Sequence, residues 1–231
     1  SIPEDGKIAQ EFRAAMADYN IPTYFTLNDM TSQERLAFYK ELADNNESPY
    51  AQFSLSQMYE EGRDAIRNGA IAAEYLKKAA DGGNKEALKI LGLKLMNGQD
   101  GFKKDPIEAY IVISLAKAFT QKQNQDYYIQ NSYEQLNKVL SPEQRLQAQR
   151  DVFERYTALV GSASEMICEP QNDEEILRAA ENYWFGIEGL PINYEKALVM
   201  YKKRAELGDS DAMYTLALAY HNGKGALPDK T

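Results

Sequence analysis

One spacing of alanine, leucine, tyrosine and glycine recurs along this chain and restricts its fold more than any single residue does. Ala51-x3-Leu55-x3-Tyr59-x2-Gly62 returns thirty-six residues later as Ala87-x3-Leu91-Gly92-x2-Leu95-x2-Gly98, and again as Ala212-x3-Leu216-x3-Tyr220-x2-Gly223. A weaker copy keeps Ala179-x3-Tyr183-x2-Gly186. A repeat of this length is one helix-turn-helix unit that cannot bury its apolar face alone, so neighbours must stack into a continuous core. The expected fold is therefore all-α, an α-solenoid of stacked helix-turn-helix repeats. Such folds offer a concave docking face more readily than a pocket built around reactive groups.

The punctuation between these units divides the chain. Residues 1–47 read as two capping helices, one over Glu4 to Asp18 and one opened by the capping box Thr31-x-x-Glu34. Residues 48–157 carry repeats followed by closing helices. Ser48-Pro49 and Asp105-Pro106 each give a cap followed by a proline at the first helical position. Second helices are expected near Ala70 to Ala80 and from Asp105-Pro106 through Phe119, with a first helix over Lys85 to Asn97 between them. The period lapses after Gln121. Tyr128, Tyr133, Leu136 and Val139 still mark an amphipathic stretch, and Ser141-Pro142-Glu143-Gln144 opens a helix through Tyr156. Residues 158–173 read as a linker, and 174–231 as further repeats, the last one incomplete.

Charge narrows the partners. Thirty-five acids against twenty-six bases give a formal charge of −9, which opposes phosphate backbones and anionic lipid surfaces. No apolar run approaches the roughly 18 to 20 residues that a membrane helix requires. The expected partner is a protein or peptide, basic or polar, with no nucleic acid and no membrane insertion. Ser1 in place of Met suits a processed or a trimmed chain equally.

The stretch Lys196-Ala-Leu-Val-Met-Tyr-Lys-Lys-Arg-Ala-Glu-Leu-Gly208, followed by Asp211-Ala-Met-Tyr-Thr-Leu-Ala-Leu-Ala-Tyr-His-Asn-Gly-Lys-Gly225, strongly resembles the Sel-one-like repeats, relatives of the tetratricopeptide repeats. Residues 140–149 resemble the closing helices that many bacterial members carry after the last repeat. The resemblance covers roughly 48–157 and 174–231. Ser56, Ala180 and Ala217 depart from it, standing where the first helix usually has glycine, and only Gly92 keeps that glycine. The resemblance implies a non-catalytic scaffold or adaptor, bacterial and in the periplasm, with the cytoplasm as the alternative. It also implies a sharper version, an immunity protein that neutralises a secreted effector enzyme.

Reactive constellations are sparse. Cys168 and His221 are the only thiol and the only imidazole, and neither has an oriented third group at a recognisable spacing. They cannot supply the usual zinc ligands, so no metal and no cofactor are expected. Asp173-Glu174-Glu175 stands at a helix start, where carboxylates are favoured by the free amide ends. Gly98-Gln-Asp-Gly101 and Gly223-Lys-Gly225 read as turns, since neither follows a strand or leads into Gly-Lys-Ser/Thr. The rival class is a cell-envelope hydrolase with carboxylate chemistry at Glu60, Glu61 or Glu181.

At 100° per residue, the positions two, three, six and ten places after the repeated alanine face away from the buried stripe. Those used here as partner-binding candidates are Phe53, Gln57 and Glu61 in the first repeat, Lys89, Leu93 and Asn97 in the second, and Tyr214, Leu218 and Asn222 in the last. Aromatic and apolar residues on such a face give large contact area at little rotamer entropy.

Overall fold

The computed structural model describes residues 30–45, 47–120, 126–161, 170, 172–187 and 189–226. All regular structure among them is helical: α1 Ser32–Asp44, α2 Pro49–Glu61, α3 Gly69–Asp81, α4 Lys85–Asn97, α5 Pro106–Ala118, α6 Tyr127–Val139, α7 Pro142–Val160, α8 Asp173–Phe185, α9 Tyr194–Glu206 and α10 Ser210–Asn222. This is the all-α repeat architecture expected of a solenoid. The expected helix at Glu4 to Asp18, Cys168 and most of the expected linker lie outside the described residues.

Helix boundaries follow local chemistry. Thr31 and Glu34 form the reciprocal capping box that opens α1, and Ser141 and Gln144 form the one that opens α7. Asn68, Asp105 and Asn193 cap the second helices α3, α5 and α9 by accepting hydrogen bonds from first-turn amides. First helices α2, α8 and α10 end at Gly62, Gly186 and Gly223, all left-handed with φ of 75°, 64° and 62°. That conformation is open to glycine without a Cβ penalty. Gly83 and Gly208, at matching places after α3 and α9, have φ of 81° and 89°.

The chain divides into two compact units, residues 1–87 and 88–231. In the first, Leu42, Ala43, Ala51, Leu55, Met58, Tyr59, Ala72 and Tyr75 form a core from α1, α2 and α3. Tyr59 and Tyr75 stack at 6.2 Å between centroids. Burial and the neighbouring Asp44 carboxylate push the Tyr75 hydroxyl up to about 12. Pro49, the first residue of α2, sits where a Cβ on Gly82 would fall, 2.5 Å from its Cγ.

In the second unit the small-residue position of the first helix decides how closely helices approach. A Cβ on Gly92 would stand 2.5 Å from Ile113 Cγ1, so α4 and α5 meet there with no room for alanine. Ser56 and Ala180 occupy the same register place in α2 and α8 and are themselves buried, so their neighbours stand back far enough for a Cβ. The α6 stripe differs from the expected one. Ile129, Tyr133, Leu136 and Leu140 bury, whereas Tyr128 and Val139 are exposed. The buried set keeps the i, i+4, i+7, i+11 spacing, and each exposed residue falls one place off it.

The helix α7 joins the two runs of repeats within this unit. Its Gln149 donates from Nε2 to the Tyr110 hydroxyl at 3.2 Å, which lies 3.1 Å from the Tyr133 hydroxyl. The amide of Tyr194, at the start of α9, donates to Gln149 Oε1 at 3.4 Å. Around this buried chain, Arg150 binds Glu195 through two hydrogen bonds of 2.8 and 2.6 Å, and Arg155 binds Glu108 through two of 2.6 and 2.9 Å. Lys196 places its ammonium 4.5 Å from the Phe153 ring centroid.

Candidate functional face

The repeat register splits each first helix into a buried stripe and an open row. Ala51 and Leu55 in α2, Ala87 and Leu91 in α4, and Ala212 in α10 are buried. The candidate residues stay open to different degrees. Phe53, Gln57, Lys89 and Leu93 are half-buried, while Glu61, Asn97, Tyr214, Leu218 and Asn222 are exposed. Phe53, Gln57 and Glu61 belong to the first unit and the other six to the second.

Local bonds tie several of them down. Lys89 donates from Nζ to Asp126 Oδ2 at 3.0 Å, and both side chains are largely covered. Asp126 is also the N-cap of α6. Burial works against its charge, yet the bonds from Lys89 and from the Tyr128 amide hold its carboxyl below the ordinary range. Lys89 thus anchors a helix start as well as facing outward. Asn97 donates to the Leu93 carbonyl one turn back at 3.0 Å. Glu61 lies 3.4 Å from Arg63.

Among the described residues, several exposed large hydrophobic side chains lie on the last two helices. Val199 and Leu207 belong to α9 and its end, and Met213, Tyr214 and Leu218 to α10; all five are exposed, Tyr214 at 67% and Leu218 at 41%. Only Tyr214 and Leu218 of these were singled out from the sequence. Val199, Leu207 and Met213 were missed because their register places are not among the four that periodicity sets opposite the alanine.

The remaining sequence motifs are structural. Asp173, Glu174 and Glu175 fill the first turn of α8 behind the Asn172 cap. His221 is exposed in the last turn of α10, where a basic group suits the carbonyl ends. Gly98, Gly101, Gly223 and Gly225 all have positive φ, as turn glycines do. Among the described residues no three histidine, cysteine, aspartate or glutamate side chains gather to hold a metal ion. Among the same residues, no helix is long and apolar enough to cross a membrane.

Several known proteins are similar to this chain. A curated protein of Neisseria meningitidis serogroup B, the uncharacterized protein NMB1327, is 25% identical over 230 residues. The match covers 96% of this chain and 44% of that protein, so the chain spans less than half the relative's length. A crystal structure of a Sel1 repeat protein from Oxalobacter formigenes matches with a TM-score of 0.41 and 22% identity, over 95% of this chain and 81% of that one. That of c5321, a protective antigen present in uropathogenic Escherichia coli strains and displaying an SLR fold, matches with a TM-score of 0.26 and 17% identity, over 84% and 53%. The Sel1 repeat model matches residues 49–84, 86–111, 176–209 and 210–231, just over half of the chain. With the cap glycines, buried alanines and paired helices falling inside those four matches, the chain belongs to the Sel1 repeat family.

Proposed function

We propose that this chain is a non-catalytic scaffold that holds a protein partner on the open rows of its first helices. One observation carries the reading: in three first helices the same register places bury their alanine and leave the residues two, six and ten positions later partly or fully exposed. In α10 those places hold Tyr214, Leu218 and Asn222, an aromatic, an aliphatic and an amide in one row. The partner that suits such a row inserts an apolar side chain and surrounds it with basic or polar groups, given the excess of acids over bases. We place this binding in the bacterial periplasm.

The test is affinity purification with mass spectrometry from the source cells, using the parent chain and a Tyr214→Ala, Leu218→Ala double variant. Both side chains are exposed, so the variant should melt within about 0.5 kcal/mol of the parent per change. The expected result is one protein recovered with the parent and lost with the variant. Equal recovery with both overturns the assignment of this face.

A further inference from the structure

Three aromatic rings at one end of the second unit break the repeat register. The helix ends that frame them align by the caps Gly62, Gly98 and Gly186 and by the caps Asn68, Asp105 and Asn193. On that alignment Trp184 stands where the earlier repeats have Glu60 and Met96, Tyr194 where they have Gly69 and Pro106, and Tyr201 where they have Leu76 and Ile113. Tyr201 therefore fills an ordinary core place with a larger ring, while Trp184 and Tyr194 add aromatic rings where the earlier repeats have none. Trp184 meets Tyr194 edge-on at 4.9 Å and Tyr201 at 5.7 Å between centroids. Tyr201 is buried, and Trp184 and Tyr194 are mostly covered but keep a part of their surface open.

A cation already sits on these rings. The ammonium of Lys224 lies 5.3 Å from the Trp184 centroid and 5.3 Å from that of Tyr194. Ring faces carry negative potential and attract ammonium groups, tryptophan most strongly. Lys224 follows the C-terminus of α10, and Trp184 is in the last turn of α8; both helix ends add negative partial charge, while the N-terminus of α9 at Tyr194 opposes it. The backbone that carries Lys224 is fixed, because a Cβ on Gly225 would lie 2.6 Å from the Tyr194 carbonyl carbon. Its side chain is exposed and swings on a four-carbon stem, so it can leave the rings without moving the turn.

We propose that Trp184 and Tyr194, backed by Tyr201, form a binding site for the ammonium group of a partner's lysine, and that Lys224 is an internal stand-in which that lysine displaces. This site is separate from the α10 row of Tyr214 and Leu218, so either can stand without the other.

Trp184 is the only tryptophan, so the fluorescence of the full chain reports on this site alone among the indoles. The experiment titrates an acetylated, amidated Gly-Lys-Gly peptide, its Gly-Gln-Gly counterpart, tetramethylammonium chloride and sodium chloride at matched ionic strength. Parent, Lys224→Met and Lys224→Arg chains are compared, each checked by thermal melting. A saturable response to the lysine peptide is expected, absent with the glutamine peptide and sodium chloride. Lys224→Met should reach half-saturation at about two- to fivefold lower concentration than the parent, the range that one exposed cation–ring contact supports. Lys224→Arg should stay near the parent. Should Lys224→Met fail to fold, the parent and Lys224→Arg titrations still decide, since both must show the saturable response. Identical traces for lysine and glutamine peptides in the chains that fold overturn the proposal. A response to tetramethylammonium without one to the lysine peptide also overturns it and gives the site to small quaternary amines.

Discussion

Helices α2 and α10 share a spacing of alanine, leucine, tyrosine and glycine, yet their surroundings differ. In α2, Leu55, Ser56 and Tyr59 are 0%, 2% and 7% exposed, covered by α1 and α3. The matching residues of α10 are Leu216, Ala217 and Tyr220. Leu216 and Tyr220 are half-buried, and Ala217 is exposed. Sequence period thus states which stripe a helix offers, and neighbours decide how far it is sealed. A repeat helix with two neighbours spends its stripe on stability. One that packs mainly on a single neighbour, as α10 does on α9, keeps part of it open.

The largest test of that contrast replaces the same register residue in both helices. Leu55→Ala should cost about 2–5 kcal/mol, whereas Leu216→Ala, already partly in water, should cost about 1–2 kcal/mol. Denaturant titrations of each variant measure the difference, and equal losses would break the comparison. Next comes the small-residue place. Gly92→Ala should destabilise by about 1–3 kcal/mol, because the new methyl meets the fully buried Ile113. Ala180→Gly at the same place in α8 should cost about 1–2 kcal/mol, from backbone entropy and the loss of a buried methyl. An Ile113→Val change added to Gly92→Ala should recover part of the loss, a coupling read from a double-mutant cycle.

A smaller effect concerns acid. Arg35 grips Asp64 through two hydrogen bonds of 2.7 and 3.1 Å, which hold the Asp64 carboxyl below its ordinary range. A carboxylate depressed in the folded state stabilises above its unfolded pKa, near 4, and that contribution fades as pH falls through the lower folded value. Asp64→Asn should therefore flatten the acid limb of the stability profile while leaving the turn intact, since asparagine tolerates the φ of 60° found there. At the last turn Gly225 stands in the same register place with φ of 74°, so the corresponding carboxylate is lacking there. Melting curves from pH 3 to pH 7 check it.

Much of this was legible in the residues, and the remainder was hidden for definable reasons. Caps and left-handed glycines follow from interactions within one turn, so Thr31, Ser48, Asp105 and Gly62 announce their helices directly, and the buried alanines follow from the repeat period. The open row was legible as a register, though not its occupants' ties: the bond from Lys89 to Asp126 spans thirty-seven residues and leaves no periodic trace. Gln149 and Trp184 escaped for the same reason. A glutamine in an otherwise polar helix gives no sign that it will be buried, and an aromatic near a helix end gives no sign of which rings will meet it. Helix α7 also runs to Val160, past the expected end at Tyr156, until Gly161 closes it.

The buried hydroxyl and amide chain of Tyr133, Tyr110, Gln149 and Tyr194 works as a key in a lock. Greasy helix faces tolerate sliding by a turn; four polar groups matched in sequence do not, since every misfit strands a donor or acceptor at about 1–3 kcal/mol. The α7 helix therefore sets one allowed phase for the repeats beyond it, and whatever they carry is held at a constant offset, like graduations on a ruler.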